Sequence, residues 1–212
     1  MALTMNDKVL TEAFGPTQGT ARLAKQAALV VAGIAVLAVA AKVSVPMWPS
    51  PVPITLGTFA VLTIGASYGP RLGLITILGY MLIGALGYDV FQGSLADRNG
   101  LAYMMCGTGG YLVGYTLAVA ALGALARRGW DRSVPLMALA LLIGNVIIYL
   151  PGMAWLYHLV DAGLFDASRF ATVWEQTLAW GLTPYLIGDA IKLALAALLI
   201  PAVWKLIGAA RA

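Results

Sequence analysis

Long uninterrupted apolar runs, separated by clusters of Gly, Pro or charge, divide the chain. Six of them read as spans: Leu23–Val45, Pro53–Ser67, Leu72–Val90, Gly109–Ala126, Val134–His158 and Pro184–Leu206. Lipid offers the backbone no water to bond, so only helices and closed barrels satisfy it internally. A barrel strand alternates apolar with polar residues, and these runs do not. The second run is irregular. Its 15 residues fall short of the roughly 20 that cross a bilayer as helix. Pro46-Met47-Trp48-Pro49-Ser50-Pro51-Val52-Pro53 leads into it, and prolines without amide protons exclude regular helix there. Two explanations stay open. One is an ordinary outer loop before a short or tilted helix. The other is a Pro-interrupted segment of the kind that marks a transporter's binding site.

Composition agrees with the pattern. Of 212 residues, 61% are hydrophobic and 10% charged, against about 25% charged in soluble domains. Mean hydropathy is +0.87. A soluble core of this size cannot hide that much apolar surface. Nothing outside the apolar runs is long enough to fold as a nucleotide-binding domain. The first long run is preceded by Asp7, Lys8, Glu12 and Arg22. It is longer than the apolar core of a signal peptide, about 7–15 residues, so a retained helix is expected.

Charge then sets orientation. With the N-terminus inside, the inner segments hold Lys8, Arg22, Lys25, Arg71, Arg127, Arg128, Arg132, Lys205 and Arg211. The outer segments hold Lys42, Arg98 and Arg169, and most acids: Asp89, Asp97, Asp161, Asp166 and Glu175. That distribution follows the positive-inside rule. The expected protein is an all-α integral membrane protein with six transmembrane helices and both termini cytoplasmic. Residues 1–22 form a cytoplasmic N-terminal segment, 23–208 the membrane domain and 209–212 a cytoplasmic tail. The net charge of +4 reflects these loops rather than nucleic-acid binding, since no basic run exceeds Arg127-Arg128.

The candidate chemistry lies in the last span, at Gly188-Asp189-Ala190-Ile191-Lys192. Ionisable residues in an apolar run are expensive and mark function by default. The i, i+3 spacing puts Asp189 and Lys192 on one helical face. At about 1.5 Å per residue they lie roughly 8 and 12 Å below Pro184, in the outer half of the bilayer. A self-neutralising pair that merely fastens helices is the competing reading, though such a buried pair contributes little net stability. Gly188 removes bulk where something could approach.

Other unusual residues end on the same outer side. Thr55 and Thr58 open the second span, Tyr88 and Phe91 close the third, and Gly107-Thr108-Gly109-Gly110-Tyr111 opens the fourth. Glycines permit close backbone approach, and amides at a helix start can receive an acceptor. Together these residues describe a pocket that loads from outside. On the first span Ala24, Ala28 and Ala32 recur every four residues, a smooth stripe for tight helix contact. It could dock a partner membrane subunit or pack within the chain. One histidine (His158) and one cysteine (Cys106) leave no metal site, disulfide or nucleophile–base pair. A phosphate-binding GxxxxGK[ST] loop is absent too. An integral membrane enzyme and a purely structural subunit are therefore the weaker alternatives to transport, and energy must come from an ion gradient or a separate ATPase.

Four elements carry a resemblance. Pro51-Val52-Pro53-Ile54-Thr55-Leu56-Gly57-Thr58-Phe59-Ala60-Val61-Leu62, Gly69-Pro70-Arg71-Leu72-Gly73, Thr108-Gly109-Gly110-Tyr111-Leu112 and Gly188-Asp189-x-x-Lys192 resemble, in order and spacing, the BioY family. These are the biotin-binding S components of energy-coupling-factor (ECF) transporters. Asp89 stands where a proline is expected, and Cys106-Gly107 where Gly-Pro is expected. The resemblance implies a six-helix S component in a prokaryotic cell membrane, with a biotin pocket capped by the loop between spans one and two. It implies one membrane coupling subunit and two ATPases as partners, with Ala24, Ala28, Ala32, Arg127 and Arg128 as docking candidates. ATP is used by those partners only, and the chain needs no cofactor. A solitary biotin transporter, or an S component for a related vitamin, is the alternative. Asp189, acceptor-only, suits a ureido N–H, and Lys192, donor-only, suits the ureido oxygen or clamps Asp189. The thiophane ring is expected against Tyr88, Phe91 or Tyr111, and the valerate carboxylate near Arg98.

Overall fold

The structure is a computed structural model and describes residues 8–45, 54–93, 99–166 and 170–209. Its helices are α1 (Gly19–Lys42), α2 (Gly57–Ala85), α3 (Gly100–Met104), α4 (Gly109–Arg127), α5 (Val134–Asp161), α6 (Val173–Gly181) and α7 (Leu186–Ala209). Among the described residues, five helical stretches are long and apolar enough to cross a membrane: α1, α2, α4, α5 and the run Val173–Gly208. Large apolar side chains stay exposed on them, Leu78 and Ile191 among others, as lipid-facing surfaces require.

The 29 residues of α2 would form a rod of about 44 Å if straight. They do not, because Gly69 sits at φ 76°, outside the helical region. A Cβ on Gly73 would lie 3.8 Å from the Gly65 Cα, although eight residues of straight helix separate Cα atoms by about 12 Å. The chain therefore reverses at Gly69-Pro70, and two arms, 57–68 and 70–85, fold against each other. The second arm stops at Ala85, five residues before the Val90 boundary read from sequence, because residues 86–93 turn inward over the bundle end.

Helix α4 packs between α2 and α5, α1 lies on α2, and α7 contacts both α5 and α2. Leu37, Val61, Ile77, Val119, Leu122, Leu141 and Ile148 build the shared core. Antiparallel strands β1 (Ser44–Val45) and β2 (Ile54–Thr55) pair Ser44 with Thr55. They close the base of the proline-rich segment, whose residues 46–53 lie outside the described residues. Helix α6, unanticipated from sequence, has a reciprocal cap. Thr172 Oγ1 accepts from the Glu175 amide at 3.1 Å, and the Glu175 carboxylate accepts from the Ala171 amide at 3.0 Å.

At the opposite end of the bundle, residues 8–13 fold under α2. Val9 is fully buried, Thr11 donates to the Ser67 carbonyl at 3.1 Å, and Arg127 clasps Glu12. Nearby Asp131 is fully buried. Trp204 Nε1 donates to it at 2.6 Å, and the Arg132 guanidinium stacks over the Trp204 ring, 4.4 Å from its centroid. Burial raises the Asp131 carboxyl to about 6, against the opposing pull of Trp204 and Arg132. The folded state thus holds this proton more tightly than the unfolded chain, so its contribution is full below about pH 4 and lost as pH rises through about 6. Asp131→Asn, which keeps an acceptor but cannot ionise, should melt a few degrees above wild type near neutrality. Thermal scans should show that advantage vanishing near pH 4, about the unperturbed carboxylate value.

Candidate functional site

Asp189 is buried on the first turn of α7, and every side chain bonded to it there is a donor. Tyr149 Oη donates to Oδ2 at 2.5 Å. Lys192 Nζ donates to Oδ1 at 2.9 Å. Thr58 Oγ1 donates to Oδ1 at 3.4 Å and accepts from Lys192 at 3.2 Å. Three helices supply this node: α2 through Thr58, α5 through Tyr149, and α7 through the i, i+3 pair. Charge-assisted bonds in a low-dielectric site are the strong ones.

The node forms one wall of a pocket whose other walls are aromatic. Tyr80, Phe91, Tyr103, Tyr111, Tyr115 and Tyr185 line it, with Leu37, Leu112 and Ile148. Tyr111 Oη donates to the Gly181 carbonyl at 2.8 Å, and its ring meets that of Tyr149 edge-on. Phe91 is buried, stacked on Tyr103 and edge-on to Tyr80. The segment carrying Phe91 is tied down by its neighbours. Tyr80 donates to the Val90 carbonyl at 3.1 Å, Tyr103 bonds the Gln92 carbonyl, and Lys42 donates to the Phe91 carbonyl at 2.8 Å while pairing with Asp89.

Of the residues singled out from sequence, Thr55, Thr58, Phe91, Thr108, Tyr111, Asp189 and Lys192 line this pocket together. The others lie elsewhere. Tyr88 is 65% exposed and does not line the pocket. Gly188 faces Ile54, whose Cγ2 lies 3.4 Å from where a Cβ would be. Gly109 and Gly110 admit protein rather than ligand: a Cβ would overlap the Met104 carbonyl at the first and the Pro151 carbonyl at the second. The Gly109 amide is spent on the Cys106 carbonyl at 3.0 Å. Arg98 lies outside the described residues. Ala24, Ala28 and Ala32 are exposed on α1, opposite the buried Gly33 and Leu37. Arg128 is exposed too, whereas Arg127 is engaged by Glu12. Sequence reasoning missed Tyr149 and the tyrosines at 80, 103, 115 and 185. The one available signal was Tyr115, which follows Tyr111 by four residues on the same face of α4.

Comparison with known proteins fixes the lineage. Residues 7–209 match the model of the BioY family. This chain belongs to the BioY family. A relative named "Probable biotin transporter BioY", from Pyrococcus horikoshii, is 34% identical over 178 residues, covering 83% of this chain and 94% of that one. "Biotin transporter BioY" of Thermotoga maritima is 32% identical over 174 residues, covering 81% and 92%. The fold is shared with the crystal structure of the S-component for biotin from an ECF-type ABC transporter. That match has a TM-score of 0.73 at 19% identity and covers 89% of this chain and 95% of that one. The chain is accordingly a multi-pass membrane protein, and its pocket lies within the matched region.

Proposed function

We propose that this BioY chain captures biotin from the external side in the Asp189 pocket and mediates its uptake as an S component. The observation that carries the reading is the donor-surrounded carboxylate beside an ammonium on a mostly aromatic and aliphatic wall. A ureido ring offers two N–H donors next to a carbonyl oxygen, the mirror of that pair. Asp189 accepts from a ureido N–H, Lys192 donates to the ureido oxygen, and Tyr149 and Thr58 hold both in place. The thiophane ring packs among Phe91, Tyr103 and Tyr111. The role of Arg98 toward the valerate carboxylate stays part of the proposal.

The chain crosses the membrane six times in this reading, with both termini cytoplasmic. The reversal at Gly69-Pro70 supports counting the two arms of α2 separately, and the basic inner loops support the orientation. Transport rather than catalysis is its activity. Docking to a membrane coupling subunit and two ATPases would use the Ala24–Ala28–Ala32 stripe, whose exposure on α1 supports that use over packing within the chain. Arg128 adds an exposed cation at the same end of the bundle.

The test is calorimetric titration of biotin into the purified chain without ATP. Saturable binding at about one biotin per chain is expected, and failure to bind overturns the reading. Tyr149→Phe removes one bond to the Asp189 carboxylate, so binding should weaken at least about 10-fold, the low end of the roughly 1.5–3 kcal/mol that a bond to a charged group contributes. An unchanged affinity in Tyr149→Phe would remove Tyr149 from the site.

A further inference from the structure

The other end of the bundle carries a second concavity. A groove of about 580 Å³ runs between the N-terminal segment, α1 and the second arm of α2. Lys8, Arg22, Lys25, Arg71 and Arg127 line it, and Glu12 is the one carboxylate among the described residues that does. Arg127 already holds that carboxylate, at 2.7 and 3.3 Å. The Lys25 ammonium is fixed by the carbonyls of Phe14, at 2.7 Å, and Thr11, at 3.2 Å, which place it without neutralising it. Arg22 and Arg71 are exposed, and among the described residues neither forms an ion pair. Among the described residues the groove gathers more cations than carboxylates, and such an excess creates a field that draws an anion.

The walls say which kind. On α2, Arg71 and Ile75 are one turn apart on one face, and Ile75 is 57% exposed. On α1, Arg22 and Leu29 share a face at i, i+7, and Leu29 lines the same groove. Both walls therefore pass from cation to apolar side chain within roughly 6 to 11 Å of rise, moving toward the membrane centre. A soluble phosphate compound has no use for the apolar half. A phospholipid has a phosphate joined to acyl chains in that order, and basic pockets between helices on the cytoplasmic side suit anionic headgroups. We propose that this groove binds an anionic phospholipid of the cytoplasmic leaflet. The phosphate sits among Arg22, Lys25 and Arg71, and an acyl chain lies along Leu29 and Ile75. Assigning the leaflet rests on the orientation proposed above; the rest stands on the groove.

The full-length chain, reconstituted in nanodiscs of phosphatidylcholine mixed with phosphatidylglycerol and then released for native mass spectrometry, tests this. Wild type should retain phosphatidylglycerol at least about 10-fold over phosphatidylcholine. Arg22→Ala/Arg71→Ala should lose that preference, with unchanged helical circular dichroism, and Arg22→Lys/Arg71→Lys should keep most of it. Equal retention of the two lipids by wild type overturns the proposal. So does undiminished retention in a folded alanine variant. Displacement of phosphatidylglycerol by inorganic phosphate would overturn the lipid assignment in favour of a soluble phosphate compound.

Discussion

Asp189→Asn is expected to weaken biotin binding about 100-fold, roughly 2.7 kcal/mol. The substitution changes almost no volume, so the effect isolates charge and hydrogen-bond polarity. Asp189 faces only donors: the Tyr149 hydroxyl at 2.5 Å, Lys192 at 2.9 Å and Thr58 at 3.4 Å. An asparagine amide must turn its NH2 toward one of them. Lys192 cannot accept, so either a hydroxyl reverses or the amide turns toward the ligand, where it meets another ureido donor. Each arrangement forfeits a bond to a charged group, worth about 1.5–3 kcal/mol, and leaves the ammonium without its counter-charge. Calorimetry with the purified variant measures the loss, and circular dichroism checks the fold. An affinity within about threefold of wild type, under 0.7 kcal/mol, would end the role assigned to Asp189.

The helical, membrane-crossing character of the chain was legible because lipid leaves a continuous apolar run little choice but helix, and Asp189 and Lys192 stood out because charge in such a run demands an explanation. Gly69-Pro70 was legible as a break for a local reason: proline cannot continue the preceding hydrogen-bond ladder. Helix α6 was not legible. Its nine residues include Glu175, Gln176 and Thr177, and its helicity depends on the Thr172 cap and on Gln176 reaching the Asp166 carbonyl at 3.0 Å. The aromatic walls stayed hidden for a related reason. A tyrosine in an apolar span fits a membrane interface as well as a pocket, and Tyr149 meets Asp189 across 40 residues only once α5 and α7 are packed. Gly109 and Gly110 did signal close approach. Sequence could not say that the approaching groups were the Met104 and Pro151 carbonyls rather than a ligand.

Lys192→Met should damage the protein before any ligand is added. It keeps most of the length of the side chain and deletes the charge, leaving the Asp189 carboxylate, 5% exposed, without its cation. Breaking one side of a buried pair destabilises by about 3–5 kcal/mol. At about 2–4 °C per kcal/mol for a chain of this size, the thermal midpoint should fall by about 10 °C. Biotin binding should be lost as well, because the ureido oxygen has no ammonium to meet. Asp189→Asn/Lys192→Met then separates site from staple. Removing both charges together is nearly neutral for stability, so the double variant should melt within a few degrees of wild type. A pair that only fastened helices would leave that stable double variant binding biotin normally. A pair that recognises the ureido ring leaves it folded and unable to bind. Recovered stability without recovered binding is the expected result, and a double variant that titrates with biotin like wild type would reduce Asp189 and Lys192 to a structural fastening.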